Sequence, residues 1–240
     1  MSAEPFTLAR YSEHLAQALE SGYRFLGFED LDGEPPFVVL RHDIDYSPRR
    51  ALPVAEIERQ LGVSATYCFH VTCPWYSVEV EPHRAFVEAV LEAGHWLGLH
   101  FDASEISSDA DVVTGVERDA RRLEALFGHA VTAVSFHMPG RRTVGGIELP
   151  DGLVNVYGPR FFEEIAYVSD SNQDWRGTDV EALFAGRAVN RLQLLTHPFW
   201  WRESYGTIGE KLEELAAELG VAVEEIATWE QVELIRRGAA

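Results

Sequence analysis

Phe37-Val38-Val39-Leu40-Arg41-His42-Asp43-Ile44-Asp45 runs from four apolar residues directly into a charged cluster. A short apolar run bounded by turn signals reads as a buried strand. Extended backbone sends alternate side chains to opposite faces, so Asp43 and Asp45 share one face. Two carboxylates that close do not both stay ionised cheaply unless a cation or strong donors lie between them. A metal ion, with one carboxylate as ligand and the other as general base, resolves the conflict.

The pattern repeats outward from this stretch. Short apolar runs at 65–71, 96–100, 131–136, 165–168 and 192–195 alternate with longer amphipathic stretches at 8–20, 82–93, 111–127, 179–184 and 205–219. A further brief strand is expected near Val154-Asn155-Val156, and Ser47-Pro48 reads as a capped helix start that Gly62 ends. Strands alternating with helices imply parallel pairing with crossover helices, in a doubly wound sheet or a barrel. No linker, repeat or low-complexity segment splits residues 1–240, so one domain is expected.

Active sites of such folds form at the carboxyl ends of the strands. Polar residues fall there as each run ends: Asp43 and Asp45, then His70, His100 with Asp102, His137, Asp170 and His197. His100 and His137 with one aspartate would give the three protein ligands and open position of a catalytic metal site. His197, fixed by Pro198, suits a proton donor. Arg41 is placed to orient a carboxylate by a bidentate contact, and Arg141 and Arg142 are either solvated or available to an anionic group. Trp75, Trp175, Trp200 and Trp201 fall in loops on the same rim, where aromatic faces would suit a sugar ring. His14, His83, His95 and His129 are read as structural or solvent-facing.

Composition narrows the function. The 240 residues are 46% hydrophobic and 25% charged, with a formal charge of −19 and Lys211 as the sole lysine. That charge disfavours nucleic acid and anionic membrane surfaces as partners. Only Cys68 and Cys73 occur, too few for a disulfide framework; Cys68 is expected buried on a strand and Cys73 in the next loop. The N-terminus lacks a signal-peptide pattern, and no apolar run approaches the roughly 20 residues of a membrane span. A cytoplasmic protein is expected.

At these residues the sequence resembles the polysaccharide deacetylase (NodB-homology) superfamily, in its divergent Arg-His-Asp-Ile-Asp form, from about residue 37 to 201. Leu40-Arg41-His42-Asp43-Ile44-Asp45 is similar to the first motif, Gly98-Leu99-His100-Phe101-Asp102 to the second and Ser135-Phe136-His137-Met138-Pro139-Gly140 to the third. Tyr167-Val168-Ser169-Asp170-Ser171 with Trp175 is similar to the fourth, and Leu195-Thr196-His197-Pro198 to the fifth.

The resemblance implies a deformed (β/α) barrel and a divalent metal, often zinc. It implies removal of acetyl groups from N-acetylated sugars, with Asp43 as base, Asp45 and His100 as ligands and His197 as acid. Arg41, Asp102, Asp170 and the four tryptophans are then candidates for substrate contact. Two departures leave alternatives open. Ile44 separates the usually adjacent aspartates, so base and ligand roles can be exchanged. Ser104 stands where a second histidine is usual, and His137 is the candidate replacement. The substrate is read as an intracellular sugar or polysaccharide precursor. The other readings are a small amide of the allantoinase kind, or a catalytically silent barrel that binds carbohydrate or protein.

Overall fold

The computed structural model describes residues 6–31, 34–138 and 143–236. Its centre is a sheet of eight strands, all paired in parallel: β1 (Arg24–Phe25), β2 (Phe37–Ile44), β3 (Thr66–His70), β4 (Trp96–Asp102), β5 (Val131–His137), β6 (Val154–Asn155), β7 (Ala166–Ser169) and β8 (Arg191–Thr196). The order is β6-β5-β4-β3-β2-β8-β7, with the two-residue β1 beside the start of β2. The sheet curls into a deformed (β/α) barrel. Among the described residues no strand pairing joins β6 to β7; ring contacts from Tyr157 to Phe162 and from Phe162 to Tyr167 lie between them instead.

The larger helices are α1 (Leu8–Glu20), α2 (Leu52–Leu61), α3 (His83–Glu92), α4 (Asp109–Phe127) and α7 (Ile208–Leu219); shorter ones are α5 (Pro159–Glu163), α6 (Val180–Ala185), α8 (Val223–Ile226) and α9 (Trp229–Arg236). No helix among the described residues is long and apolar enough to cross a membrane. The elements expected from the sequence are present within a few residues of their expected bounds, including the brief strand at Val154–Asn155, whereas β1, α5, α8 and α9 are additions to that reading. One local expectation fails. Ser47 makes no side-chain cap bond, and Pro48 opens a 3-10 turn, Pro48–Ala51, ahead of α2. A second proline, Pro53, falls in the first turn of α2. Proline has no N–H to donate and is tolerated only in a first turn, so regular helix hydrogen bonding starts after it. Gly62, at φ +70°, ends α2 as expected.

Every residue of β2 is buried, which requires cover on both faces. Phe37 and Val39 pack inward with Ala133, Val156, Phe161 and Ile165 to plug the amino-terminal end of the barrel. Val38 and Leu40 face outward into the core shared with the helices. The outward side also carries a polar knot. Glu58 of α2, fully buried, accepts from Tyr67 at 2.7 Å and from Tyr11, and meets His42 Nε2 at 2.7 Å and His95 Nδ1 at 3.5 Å. Thr196 Oγ1 lies 2.7 Å from the other ring nitrogen of His42. Burial works to raise the Glu58 pKa, but His42, His95 and Tyr11 outweigh it and hold the carboxylate below its ordinary value.

Cys68 is buried on β3, Cys73 is half-buried in the following loop, and both are free. Inside the barrel β3, β4 and β5 approach closely at Gly98. A Cβ there would lie 2.6 Å from Cys68 Sγ, 2.9 Å from Thr66 Cγ2 and 3.3 Å from the Ala133 carbonyl oxygen. Gly98→Ala is therefore expected to destabilise the fold by about 1–3 kcal/mol through overpacking, read as a lower denaturant midpoint at unchanged slope.

Candidate metal and acid–base site

Inward-facing side chains turn from apolar to charged toward the carboxyl ends of the strands. Arg41, fully buried, spans the level above the plug. Its guanidinium donates to Gln193 Oε1 at 3.0 Å, to Tyr157 Oη at 3.0 Å and to Asp43 Oδ2 at 3.3 Å, and its Nε lies 3.2 Å from Asp43 Oδ1. Arg41 thus pairs with Asp43, through one hydrogen bond from Nη2 and a close charge contact from Nε. Burial opposes the charge on Arg41, yet Asp43 raises its pKa above the ordinary arginine value.

Asp43 is 3% exposed and passes its influence on through a serine. Ser135 Oγ donates to Asp43 Oδ1 at 2.8 Å and lies 2.6 Å from His100 Nδ1. A hydroxyl has one proton to give. With that proton on Asp43, Ser135 must accept from His100 Nδ1–H, which leaves the lone pair of His100 on Nε2. Metal-ligating histidines are held in just this way, by a partner on the second ring nitrogen.

The lone pair of His100 Nε2 meets two other ligand atoms. Asp45 Oδ1 is 3.0 Å from it, His137 Nδ1 is 3.1 Å from it, and Asp45 Oδ1 and His137 Nδ1 are 3.3 Å apart. Asp45, His100 and His137 form a group able to hold a metal ion, with one ligand atom from each within 4.8 Å of the others. Asp45 Oδ1 is buried with no geometrically sound hydrogen bond. Such an atom is costly to leave unpaired, and a cation would satisfy it, so the donor set fits a divalent ion. Burial works to raise the Asp45 pKa, but His100 and His137 hold it well below the usual carboxylate range. Burial opposes protonation of His137, and Asp45 overrides it to leave the pKa raised. Protons therefore compete for the same lone pairs a metal would use.

On the opposite side, beyond β7 and β8, Asp170 holds His197. Both carboxylate oxygens accept the His197 backbone N–H at 3.0 Å, Oδ1 lies 2.6 Å from His197 Nδ1, and Oδ2 accepts Trp201 Nε1–H at 2.9 Å. This turns His197 Nε2 toward Asp45 Oδ2, 3.8 Å away. Burial alone would lower the His197 pKa. Asp170, with help from Asp45 and Asp43, instead lifts it to about 9, so the ring is an imidazolium at neutral pH.

The other sequence expectations meet the structure unevenly. Trp200 and Trp201 are 2% and 1% exposed, and Trp175 is 6% exposed. Trp175 and Trp201 pack with Phe6, and Trp200 packs with Tyr46 and Phe199, so these three rings do not present a sugar-stacking face on the rim. Their burial follows from the apolar area each ring removes from water. Asp170 is fully buried against His197, and Asp102, half-buried, accepts the Ser104 N–H at 2.8 Å as a loop cap. Trp75 is half-buried against the core. Arg141 and Arg142 lie outside the described residues.

Ser135, Gln193 and Tyr157 were not singled out from the sequence. Ser135 carried a usable signal, since it stands two residues before His137 on one strand and so faces the same way. His70, by contrast, was marked as a strand-end residue and does stand beside the group, its ring centroid 5.7 Å from that of His100 and 5.8 Å from that of His137. Burial, helped by the neighbouring His100 and His137, pushes its pKa down to about 3.

No protein-family model matches the chain, and no curated protein sequence matches it. Solved structures do. The chain is similar to polysaccharide deacetylases. The Streptococcus pyogenes deacetylase PplD is 13% identical over 72% of this chain and 80% of its own, with a TM-score of 0.45. The chitin deacetylase from the fungal pathogen Colletotrichum lindemuthianum is 15% identical over 84% and 88%, with a TM-score of 0.46. BA3943 of Bacillus anthracis, a CE4 family pseudoenzyme, is 16% identical over 77% and 60%, with a TM-score of 0.44. Likeness at this level carries no argument about chemistry, which rests on the geometry above.

If Asp43 and Ser135 act by orienting His100, Asp43→Asn and Ser135→Ala should each weaken divalent-ion affinity about 10–100-fold. Calorimetric titration of the folded variants checks this. A carboxylate acting only as a base on substrate would leave ion affinity unchanged.

Proposed function

We propose that the chain is a metal-dependent hydrolase of the deacetylase kind, cleaving an amide-linked acetyl group from an intracellular sugar or polysaccharide precursor. The observation that carries this reading is the convergence of Asp45, His100 and His137 opposite the Asp170–His197 pair. A divalent ion such as zinc, held by those three residues, would supply Lewis acidity to an amide carbonyl and to a water.

The chain's own groups do the rest. His197, kept protonated by Asp170, is the acid that gives its Nε2 proton to the departing amine. Trp201 fixes the far oxygen of Asp170, so the proton stays aimed into the site. Asp43 is the candidate base for the water's proton, and with Arg41 and Ser135 on its two oxygens it also holds His100 in the ligating tautomer. Ser104 leaves the second motif without its usual histidine, and His137 of β5 takes that place in the donor set.

A second reading has specific support. With Trp175, Trp200 and Trp201 buried, the stacking surface expected for a sugar is reduced to the half-buried Trp75, which favours a smaller amide on the same machinery.

Elemental mass spectrometry of the purified protein should find about one divalent ion per chain, as a three-ligand catalytic site holds. Asp45→Ala and His137→Ala should lose it, and retention by both would refute the donor set. The acid role fixes a pH dependence. His197 must be protonated to act, so turnover of an acetylated substrate should fall as pH rises through about 9. Asp170→Asn removes the main raising influence and should move that alkaline limb down toward the ordinary histidine value of about 6.5. An unmoved limb would assign the acid elsewhere.

A further inference from the structure

His70 stands against the proposed metal group and takes no part in it. It is the last residue of β3, paired in register with His100 on β4, and is 5% exposed. Its position is held from two directions. Its backbone N–H donates to Tyr76 Oη at 2.8 Å, and Tyr76 in turn donates to the Ile44 carbonyl at 2.7 Å, tying the end of β3 to the residue before Asp45. Its ring is fixed by Thr72, whose backbone N–H donates to Nδ1 at 3.2 Å with Thr72 Oγ1 3.3 Å from the same atom.

That contact decides the tautomer. A backbone N–H can only donate, so Nδ1 of His70 offers its lone pair and the ring proton sits on Nε2. This is the reverse of His100, where Ser135 places the proton on Nδ1 and the lone pair on Nε2. A ring bearing its proton on Nε2 cannot ligate through that atom. His70 Nε2–H makes no hydrogen bond among the described residues, and it is not one of the sealed polar atoms that lack a partner. The rim thus holds one histidine set to accept a cation and, edge-on beside it, another set to donate a proton bond.

We propose that His70 is a substrate-contacting donor, its Nε2–H hydrogen-bonding an acyl or carboxylate oxygen of a ligand bound at the Asp45–His100–His137 group. The assignment rests on the metal-centre reading given above and adds to it a donor outside the ion's coordination. Fixed donors aimed at a developing oxyanion are among the larger contributions an active site makes. Thr72 is the positioning residue behind it.

The test uses the cobalt-loaded protein and acetate as the probe, followed by the visible spectrum of the ion. His70→Ala should bind the ion with unchanged stoichiometry and bind acetate at least about tenfold more weakly, the effect of one hydrogen bond to a charged group. His70→Gln, which restores an N–H near the same place, should recover most of that loss. A second measurement needs no variant. Long-range nitrogen–proton correlation on the zinc-loaded protein should show His70 protonated at Nε2 and bare at Nδ1.

Unchanged acetate affinity in His70→Ala overturns the proposal, as does the opposite tautomer or a wild-type spectrum that acetate does not perturb. Loss of the ion in a folded His70→Ala would make His70 a ligand and also overturn it. A wild-type protein that takes up no ion fails at the metal centre itself, a result distinct from all of these.

Discussion

The site depends on a guanidinium sealed inside the barrel. Arg41 has no access to solvent, and a charge so placed is tolerated only when paired and hydrogen-bonded. Its partners come from three parts of the chain: Asp43 on its own strand, Gln193 on β8 and Tyr157 just after β6. Satisfying one buried cation therefore fixes the relative positions of β2, β8 and the open edge of the sheet. It also fixes the Asp43 carboxylate, and through Ser135 the ring of His100. The order of dependence runs from the interior outward, and the candidate ligands are its last members.

The same strand serves a second polar system on its other face. His42, between Arg41 and Asp43, points toward the helices and meets Glu58 in a knot with Tyr11, Tyr67, His95 and Thr196. Buried ion pairs add little net stability against an apolar replacement but penalise severely the loss of one partner. Here they locate α1 and α2 against β2 and β3, the strands that lead into Asp45 and end on His70. The charged side of the barrel is thus braced from behind by a charged helix layer, with the apolar plug below separating neither from its partners.

Much of this was legible in the sequence because it depends on local periodicity. The runs at 37–44, 66–70, 96–102, 131–137 and 191–196 are strands, and the polar residue ending each run does lie at the carboxyl end of the barrel. The strand-end rule brought Asp45, His100, His137, Asp170 and His197 to one place without any pairwise information. Relations that depend on pairing across the sheet were not legible. Ser135 links Asp43 to His100 over separations of 92 and 35 residues; its spacing from His137 gives the face it points to, but nothing local names the two partners it joins. The tryptophans misled for a related reason. Adjacency of Trp200 and Trp201 implies opposite faces in an extended segment, yet Pro198–Trp200 forms a 3-10 turn and both rings are buried.

The two-faced character of β2 has a consequence for pairing. Most strands in a buried sheet hold their register by shape, since sliding by one residue exchanges one apolar side chain for another. β2 is different. A one-residue slip would carry Arg41 and Asp43 together onto the helix side, away from Gln193, Tyr157 and Ser135. It would also turn His42 inward, away from Glu58 and Thr196. Each misaligned pairing with β3 or β8 is penalised electrostatically at several positions at once, so the residues that make up the site also act as the index marks by which the barrel closes in only one frame.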